Sequence, residues 1–413
     1  MGLEMTSILN PVGRRAGTYV RQPTGYRAFI PEPLPPASPA IEMTLDRSRL
    51  LGEAALALGR LDAAAQLIPN PDLFVGMYVN REAVLSSQIE GTQASLTDVL
   101  VFEVEGDADY QSDVHEIINH IAAMNYGLRR LQDLPLSLHL IREIHRTLMQ
   151  GGRGQHRDPG EFRRTQNWIG PGGCTLSTAT FIPPPPSVLM DHLGNLEIFM
   201  HDEKYPPLVR AGLVHAQFET IHPFLDGNGR IGRLLITFML CQEKILQRPL
   251  LYLSHFLKRN RAEYYDRLQA VREGGHWEEW LNFFLRGVAE TADQSWRTAQ
   301  SILDLQERHR ELLQSKRASA GTLRAHDLLW RRPIITIPYL RGELGTTFAG
   351  ANNIVRRLID LGILKETTGF RRNRRFVYQE YLRLFVEDPE DPPETSAAGA
   401  YSQGDLPLPT TTS

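Results

Sequence analysis

Apolar positions recur at helical spacing over most of the chain, starting near Ile41 and running through Leu50, Leu51, Ala54, Ala55 and Leu58. The same period predicts helices over about 74–90, 95–104, 111–130 and 138–149. It lapses between Gly151 and Pro186, a stretch dense in Gly and Pro that closes on four consecutive prolines. Helical spacing returns over about 187–201, 208–220, 230–247, 261–272 and 277–304. The central body therefore reads as all-helical with one large non-helical insertion, and no repeat of fixed period is present. Residues 1–40 are rich in Pro and Gly and read as an extended arm.

After Gly321 the elements shorten. Helices are expected over about 323–330, 337–344 and 348–361, with Gly362 ending the last, followed by two short alternating segments, 363–366 and 375–378. Three helices followed by a hairpin resemble a winged helix-turn-helix. The tail from Glu387 onward carries six acidic residues and no base, contains proline, and is expected to be disordered.

Composition narrows the class. A hydrophobic share of 42% with 23% charged residues suits a soluble globular protein, and 413 residues are enough for two or three domains. Cys174 and Cys241 lie far apart, which argues against a disulfide framework or a thiolate zinc site and fits a reducing cytoplasm. No run approaches the roughly 20 apolar residues of a membrane span, and no secretion signal is recognisable. Met1, Gly2 and Thr6 fit the loose myristoylation pattern, a match that short patterns make by chance. The net charge of −3 hides an asymmetry, because 321–386 holds twelve Arg or Lys against five Asp or Glu. That excess is compatible with nucleic acid as a partner.

The segment with most chemistry is His222-Pro223-Phe224-Leu225-Asp226-Gly227-Asn228-Gly229-Arg230-Ile231-Gly232-Arg233, placed between two strongly helical runs. It is a loop feeding a helix N-terminus, whose free N–H groups and partial positive charge suit phosphate. Gly227 and Gly229 let the backbone approach an anion closely, and Arg230 and Arg233 share the first turn. Asp226 offers a hard oxygen for Mg²⁺, and His222 titrates near neutrality, so it is the natural proton acceptor. The segment is no Walker A loop, since no Lys-Ser/Thr follows the glycines, and no EF-hand.

These residues match the pattern HPFx[DE]GNGRxxR at every fixed position, and the chain resembles the Fic family. The resemblance implies a mainly α fold: a Fic-type helical bundle with a β-hairpin flap, followed by a small winged helix-turn-helix domain. It divides the chain into the arm (1–40), an N-terminal helical region with an inhibitory helix at about 80–91 (41–135), a core with a flap at about 163–186 (136–300), a linker helix and winged helix (301–386) and the acidic tail (387–413). It implies protein adenylyltransferase activity on Ser, Thr or Tyr hydroxyls, the enzyme's own included, with ATP as substrate and Mg²⁺. His222 would deprotonate the target hydroxyl and Asp226 would hold Mg²⁺. Gly227, Asn228 and Gly229 would form the anion hole, Arg230 and Arg233 would take the β- and γ-phosphates, and Ile231 and Gly232 would complete the nucleotide-binding segment.

Further matches follow from the same resemblance. Ser86-Ser87-Gln88-Ile89-Glu90-Gly91 fits the inhibitory pattern [ST]xxxE[GN], so Glu90 would pair with Arg233 in the place of the γ-phosphate, with Ser86 fixing the helix and Gly91 ending it. The stretch from Gln166 to Pro186 resembles the flap, along which a protein target would add as a strand. Ile182 and its neighbours are expected to meet adenine, and so is Tyr265, on the helical face shared by Tyr264, Leu268 and Arg272. His215 is expected to be packing. Two rival readings remain: a phosphodiesterase removing AMP at the same site, with Glu90 positioning water, and a DNA-binding regulator whose Fic core senses nucleotide. Arg356, Arg357 and the run Arg371-Arg372-Asn373-Arg374-Arg375 are the candidate phosphate contacts for the latter. Winged helices also serve as protein-docking or homodimer modules.

Overall fold

The computed structural model describes residues 15–37, 39–67, 71–106, 112–151, 154, 156–369 and 373–386. The Met1–Gly2–Thr6 pattern, Arg371, Arg372 and the acidic tail lie outside them. In chain order the elements are β1 (Gly17–Arg21), β2 (Arg27–Pro31), α1 (Leu45–Leu67), α2 (Pro71–Ile89), α3 (Leu96–Glu105), α4 (Ser112–Arg130) and α5 (Leu138–Leu148). Then follow α6 (Leu189–Met200), α7 (Pro207–Ile221), α8 (Asn228–Gln242), α9 (Ser254–Arg259), α10 (Arg261–Gly274) and α11 (Trp277–Ser315). The C-terminal part is α12 (Ala320–Arg331), β3 (Ile334–Thr336), α13 (Ile337–Leu344), α14 (Phe348–Asp360), β4 (Lys365–Glu366), β5 (Arg375–Val377) and α15 (Gln379–Val386).

Helix α7 forms the middle of the core: every residue from Leu208 to Ile221 is buried, apolar and polar alike. A helix hydrophobic on one face only could not sit there. Its long partners are α8, antiparallel through the motif loop, and α11, whose Trp280 donates Nε1–H to the Gly212 carbonyl at 2.8 Å. Gly212 allows that approach, since a Cβ there would lie 2.8 Å from Phe284. Helix α11 is longer than the periodicity suggested and runs 39 residues, about 58 Å at 1.5 Å per residue. Its C-terminal half reaches the C-terminal part, where His309 meets Tyr378 and α12–α14 accompany a three-stranded antiparallel sheet of order β3-β5-β4.

Two expectations need correction. The N-terminal arm is not simply extended: Gly17–Arg21 pairs antiparallel with Arg27–Pro31, from Gly17 opposite Pro31 to Arg21 opposite Arg27. The Gln22–Gly25 turn closes it, with Gly25 at φ +99° and hydrogen bonds joining Gln22 to Tyr26 and Gly25. The flap is less than a full hairpin. Ile169 and Phe181 exchange backbone hydrogen bonds of 2.9 and 3.0 Å as a single antiparallel bridge. Pro171 and the prolines from Pro183 on have no N–H with which to extend it. Phe29 in β2 instead donates its N–H to the Ile182 carbonyl at 2.9 Å, so the N-terminal hairpin braces the flap.

Candidate active site

Helix α7 stops because His222 turns left-handed, at φ 49° and ψ 61°, a strained conformation for a residue with a Cβ. The surroundings hold that turn. The His222 carbonyl accepts from Arg163 Nε at 2.9 Å and Asn167 Nδ2 at 3.1 Å, and the Phe224 carbonyl also accepts from Asn167. Asn228 clamps Phe224 from below, accepting from its N–H and donating to its carbonyl, both at 2.8 Å. The Asn228 side chain is thus committed to the loop, which leaves its main-chain N–H for any anion. Gly227 caps α8 at φ 74°. His145 lies flat on Phe224, with ring centroids 3.7 Å apart. Its Nδ1 accepts from the Gly160 N–H, so Nε2 carries the proton and donates to the Asp226 carbonyl at 3.0 Å.

His222 is 4% exposed. Burial, with the nearby charges of Arg272 and Arg163, pushes its imidazole down to about 3, against a small opposing pull from the Glu219 carbonyl. It is neutral at pH 7 and can accept a proton. His215 is neutral for the same dominant reason, burial, which lowers it to about 4. It is a packing residue, donating from Nδ1 to the Gly232 carbonyl and accepting at Nε2 from the Tyr264 hydroxyl, both at 2.9 Å.

At the other end of the loop the arginines already have acidic partners. Arg233 donates to the Ser86 hydroxyl (2.9 Å), the Ser86 carbonyl (3.0 Å) and Glu90 Oε1 (2.7 Å). Ser86 thus joins α2 to Arg233 of α8 through both its hydroxyl and its carbonyl. Gly91, at φ +102°, turns the chain at the end of α2 and keeps Glu90 at the helix terminus. Arg230 sits 3.9 Å from Glu116 and 3.6 Å from Asp226, and Glu116 also accepts from the Thr92 hydroxyl at 3.2 Å. Asp226 is the candidate metal ligand. Its carboxylate is 31% exposed, and among the described residues no group of three or more His, Cys, Asp or Glu forms a cage. One open carboxylate beside an anion loop fits Mg²⁺ bound largely through substrate phosphates.

A cavity of about 140 Å³ gathers Glu90, Gly229, Arg233, His222 and Tyr265, together with Ile169, Thr180, Phe181, Glu219, Leu268 and Arg272. Ile231 faces the core at 1% exposure, and Gly232 packs on Glu219. Ile182 lies outside this cavity; its neighbours Thr180 and Phe181 supply the flap's wall. Arg272 spreads over the Phe181 ring, 4.1 Å from its centroid. The residues that sequence reasoning missed are Arg163, Asn167, His145, Glu116 and Glu219. Glu116, His145 and Glu219 sit on helices, where a polar residue on the inward face looks like a surface residue until the neighbours are known, while Arg163 and Asn167 lie in the irregular stretch before Pro186, where no period marks them.

The fold and loop together form a helical domain in which a glycine-rich helix N-terminus and two arginines lie close to a neutral, buried histidine. Residues 135–240 match the Fic/DOC family model and residues 48–129 the Fic/DOC family N-terminal model. The chain is 28% identical over 270 residues to the protein adenylyltransferase Fic of Drosophila grimshawi, covering 62% of this chain and 50% of that one. It is 32% identical over 224 residues to the protein adenylyltransferase Fic of Aedes aegypti, covering 50% and 39%. The chain thus spans about half the length of these curated relatives or less. A Fic family protein from Desulfovibrio desulfuricans shares the fold at a TM-score of 0.54 and 18% identity, over 82% of this chain and 97% of that one. Among the described residues no helix is long and apolar enough to cross a membrane.

Proposed function

We propose that this protein transfers AMP from ATP to Ser, Thr or Tyr hydroxyls of protein targets and of itself, and that Glu90 restrains the reaction. The observation that carries this reading is a neutral, buried His222 sharing one cavity with Arg233, whose guanidinium Glu90 occupies. The target hydroxyl would give its proton to His222 as its oxygen bonds to the α-phosphorus. The bond to the bridging oxygen breaks, and pyrophosphate leaves with the electron pair. The main-chain N–H groups of 227–229 would face the α-phosphate, Arg230 the β-phosphate and Arg233 the γ-phosphate once Glu90 withdraws. Mg²⁺ held by Asp226 would offset phosphate charge.

A groove of about 250 Å³ between Tyr19, Arg27 and the flap segment 179–182 suits a target running as an extended strand. Hydrolytic removal of AMP is a second reading, favoured by Glu90 and His222 lining the same cavity. On α14, Arg356 and Arg357 are exposed, and duplex DNA or a second copy of the chain is the partner this surface suits. The test is incubation with α-labelled and γ-labelled ATP. Protein should take up α label only, and not in His222→Ala. Absence of α label from every form, or uptake of γ label, overturns the proposal.

A further inference from the structure

Glu219 is an acidic residue with no evident task. It lies one helical turn before His222, is 6% exposed, and lines the same cavity. Its Oε1 is enclosed with no hydrogen-bond partner among the described residues. Leaving a buried acceptor unpaired is costly, more so when it is charged, and the cavity wall is where a ligand hydroxyl would meet this carboxyl. Burial pushes the carboxyl up to about 7, against the pull of Arg233, so it is partly ionised at neutral pH.

The chain makes room for this carboxyl. A Cβ on Gly232 would lie 2.5 Å from Glu219 Oε1, so any side chain at 232 would displace it. Arg272 holds the backbone on the other side, donating to the Glu219 carbonyl at 3.0 Å and to Thr220 Oγ1 at 3.3 Å. The carboxyl is thus fixed between Arg272, which covers Phe181, and Gly232, which precedes Arg233.

That placement orders the cavity. Ile169, Phe181, Tyr265 and Leu268 give the cavity apolar and aromatic walls suited to a base, while Gly229 and Arg233 give it groups suited to an anion. Phosphate oxygens offer a carboxylate only repulsion. The part of a nucleoside triphosphate that joins base to phosphates, is neutral and carries hydrogen-bond donors is the sugar with its hydroxyls. We propose that Glu219 binds a ribose hydroxyl and makes this site selective for ribonucleotides over deoxyribonucleotides.

The inference rests on the nucleotide reading above, and the test separates the two. In a Glu90→Gly background, kcat/KM for protein labelling is measured with ATP, 2′-deoxy-ATP and 3′-deoxy-ATP. Calorimetric binding of the same three nucleotides with Mg²⁺ to the Glu90→Gly/His222→Ala protein gives a readout without turnover. One deoxy analogue should be weaker by about 10- to 100-fold, the worth of one hydrogen bond to a charged group. Glu219→Gln, close to Glu in volume, should shrink that ratio to within about threefold, mainly through KM, and Gly232→Ala should shrink it by displacing the intact carboxyl. An undiminished ratio in a labelling-competent Glu219→Gln protein overturns the proposal. So does a change that appears only between ATP and ITP, which would assign Glu219 to the base. Failure of all three nucleotides to bind or label overturns the nucleotide reading itself.

Discussion

The two ends of the loop 222–233 are held in opposite ways. At the His222 end the backbone is held by the scaffold around it: Arg163, Asn167, Asn228 and His145 bond its carbonyls, and burial leaves the imidazole neutral. At the arginine end the N-terminal helices add partners to the loop's own Asp226, and those partners lie where the proposed function puts an anion. Ser86 and Glu90 hold Arg233, and Glu116 faces Arg230. On the proposed function, one end is assembled for proton transfer and the other is shielded from the substrate that would make the transfer useful. A switch built this way needs no rearrangement of its base. It needs only the removal of a carboxylate.

The largest effect that can break this comparison lies at the assembled end. His222→Ala should lower α-label transfer by roughly 10²–10⁴-fold while nucleotide binding stays within a few fold; equal losses in both would make His222 a binding residue instead. Asn228→Ala should follow, because it strips the Phe224 N–H of its partner and leaves the Phe224 carbonyl to Asn167 alone. About 1–3 kcal/mol of stability should be lost in urea unfolding, together with most of the transfer activity. A variant with parent-like stability would show that the clamp does not shape the loop.

At the shielded end, Glu116→Gln should raise transfer only about two- to fivefold, since a 3.9 Å pair contributes about 1 kcal/mol or less. A rise matching that of a Glu90 variant would mean both arginines are restrained equally. The smallest effect is on pH. His222 is held near 3 in the fold against about 6.5 in the unfolded chain, so the unfolded state binds a proton that the folded state refuses. The resulting stability is present above pH 6.5 and lost as pH falls toward 3. The parent's melting temperature should therefore drop more between pH 6.5 and 4 than that of His222→Ala. Parallel curves would show that the imidazole is not buried neutral.

Much of this was legible in the sequence, for different physical reasons at different places. The helices announced themselves through period, and the motif through a density of chemically distinct residues that chance does not assemble. The pairing of Glu90 with Arg233 was readable because α2 and α8 each carry a local signature. The scaffold under His222 was not, because its hydrogen bonds go to backbone carbonyls, which no side-chain pattern encodes. The clamp of the Asn228 side chain on Phe224 was hidden for the same reason. The N-terminal hairpin was hidden by its prolines and glycines, although Thr18 to Ile30 holds short apolar segments around a Pro-Thr-Gly turn. Helix α9, six residues long, is too short to show a period.

The central claim is that a competent base is kept idle by one carboxylate. It is tested most directly by comparing α-label transfer from ATP in the parent and in Glu90→Gly, at the same protein and Mg²⁺ concentrations. Release of Arg233 from a charge-assisted hydrogen bond should raise transfer about 10- to 100-fold, and adding His222→Ala should abolish the gain. Equal labelling of parent and Glu90→Gly would contradict the account.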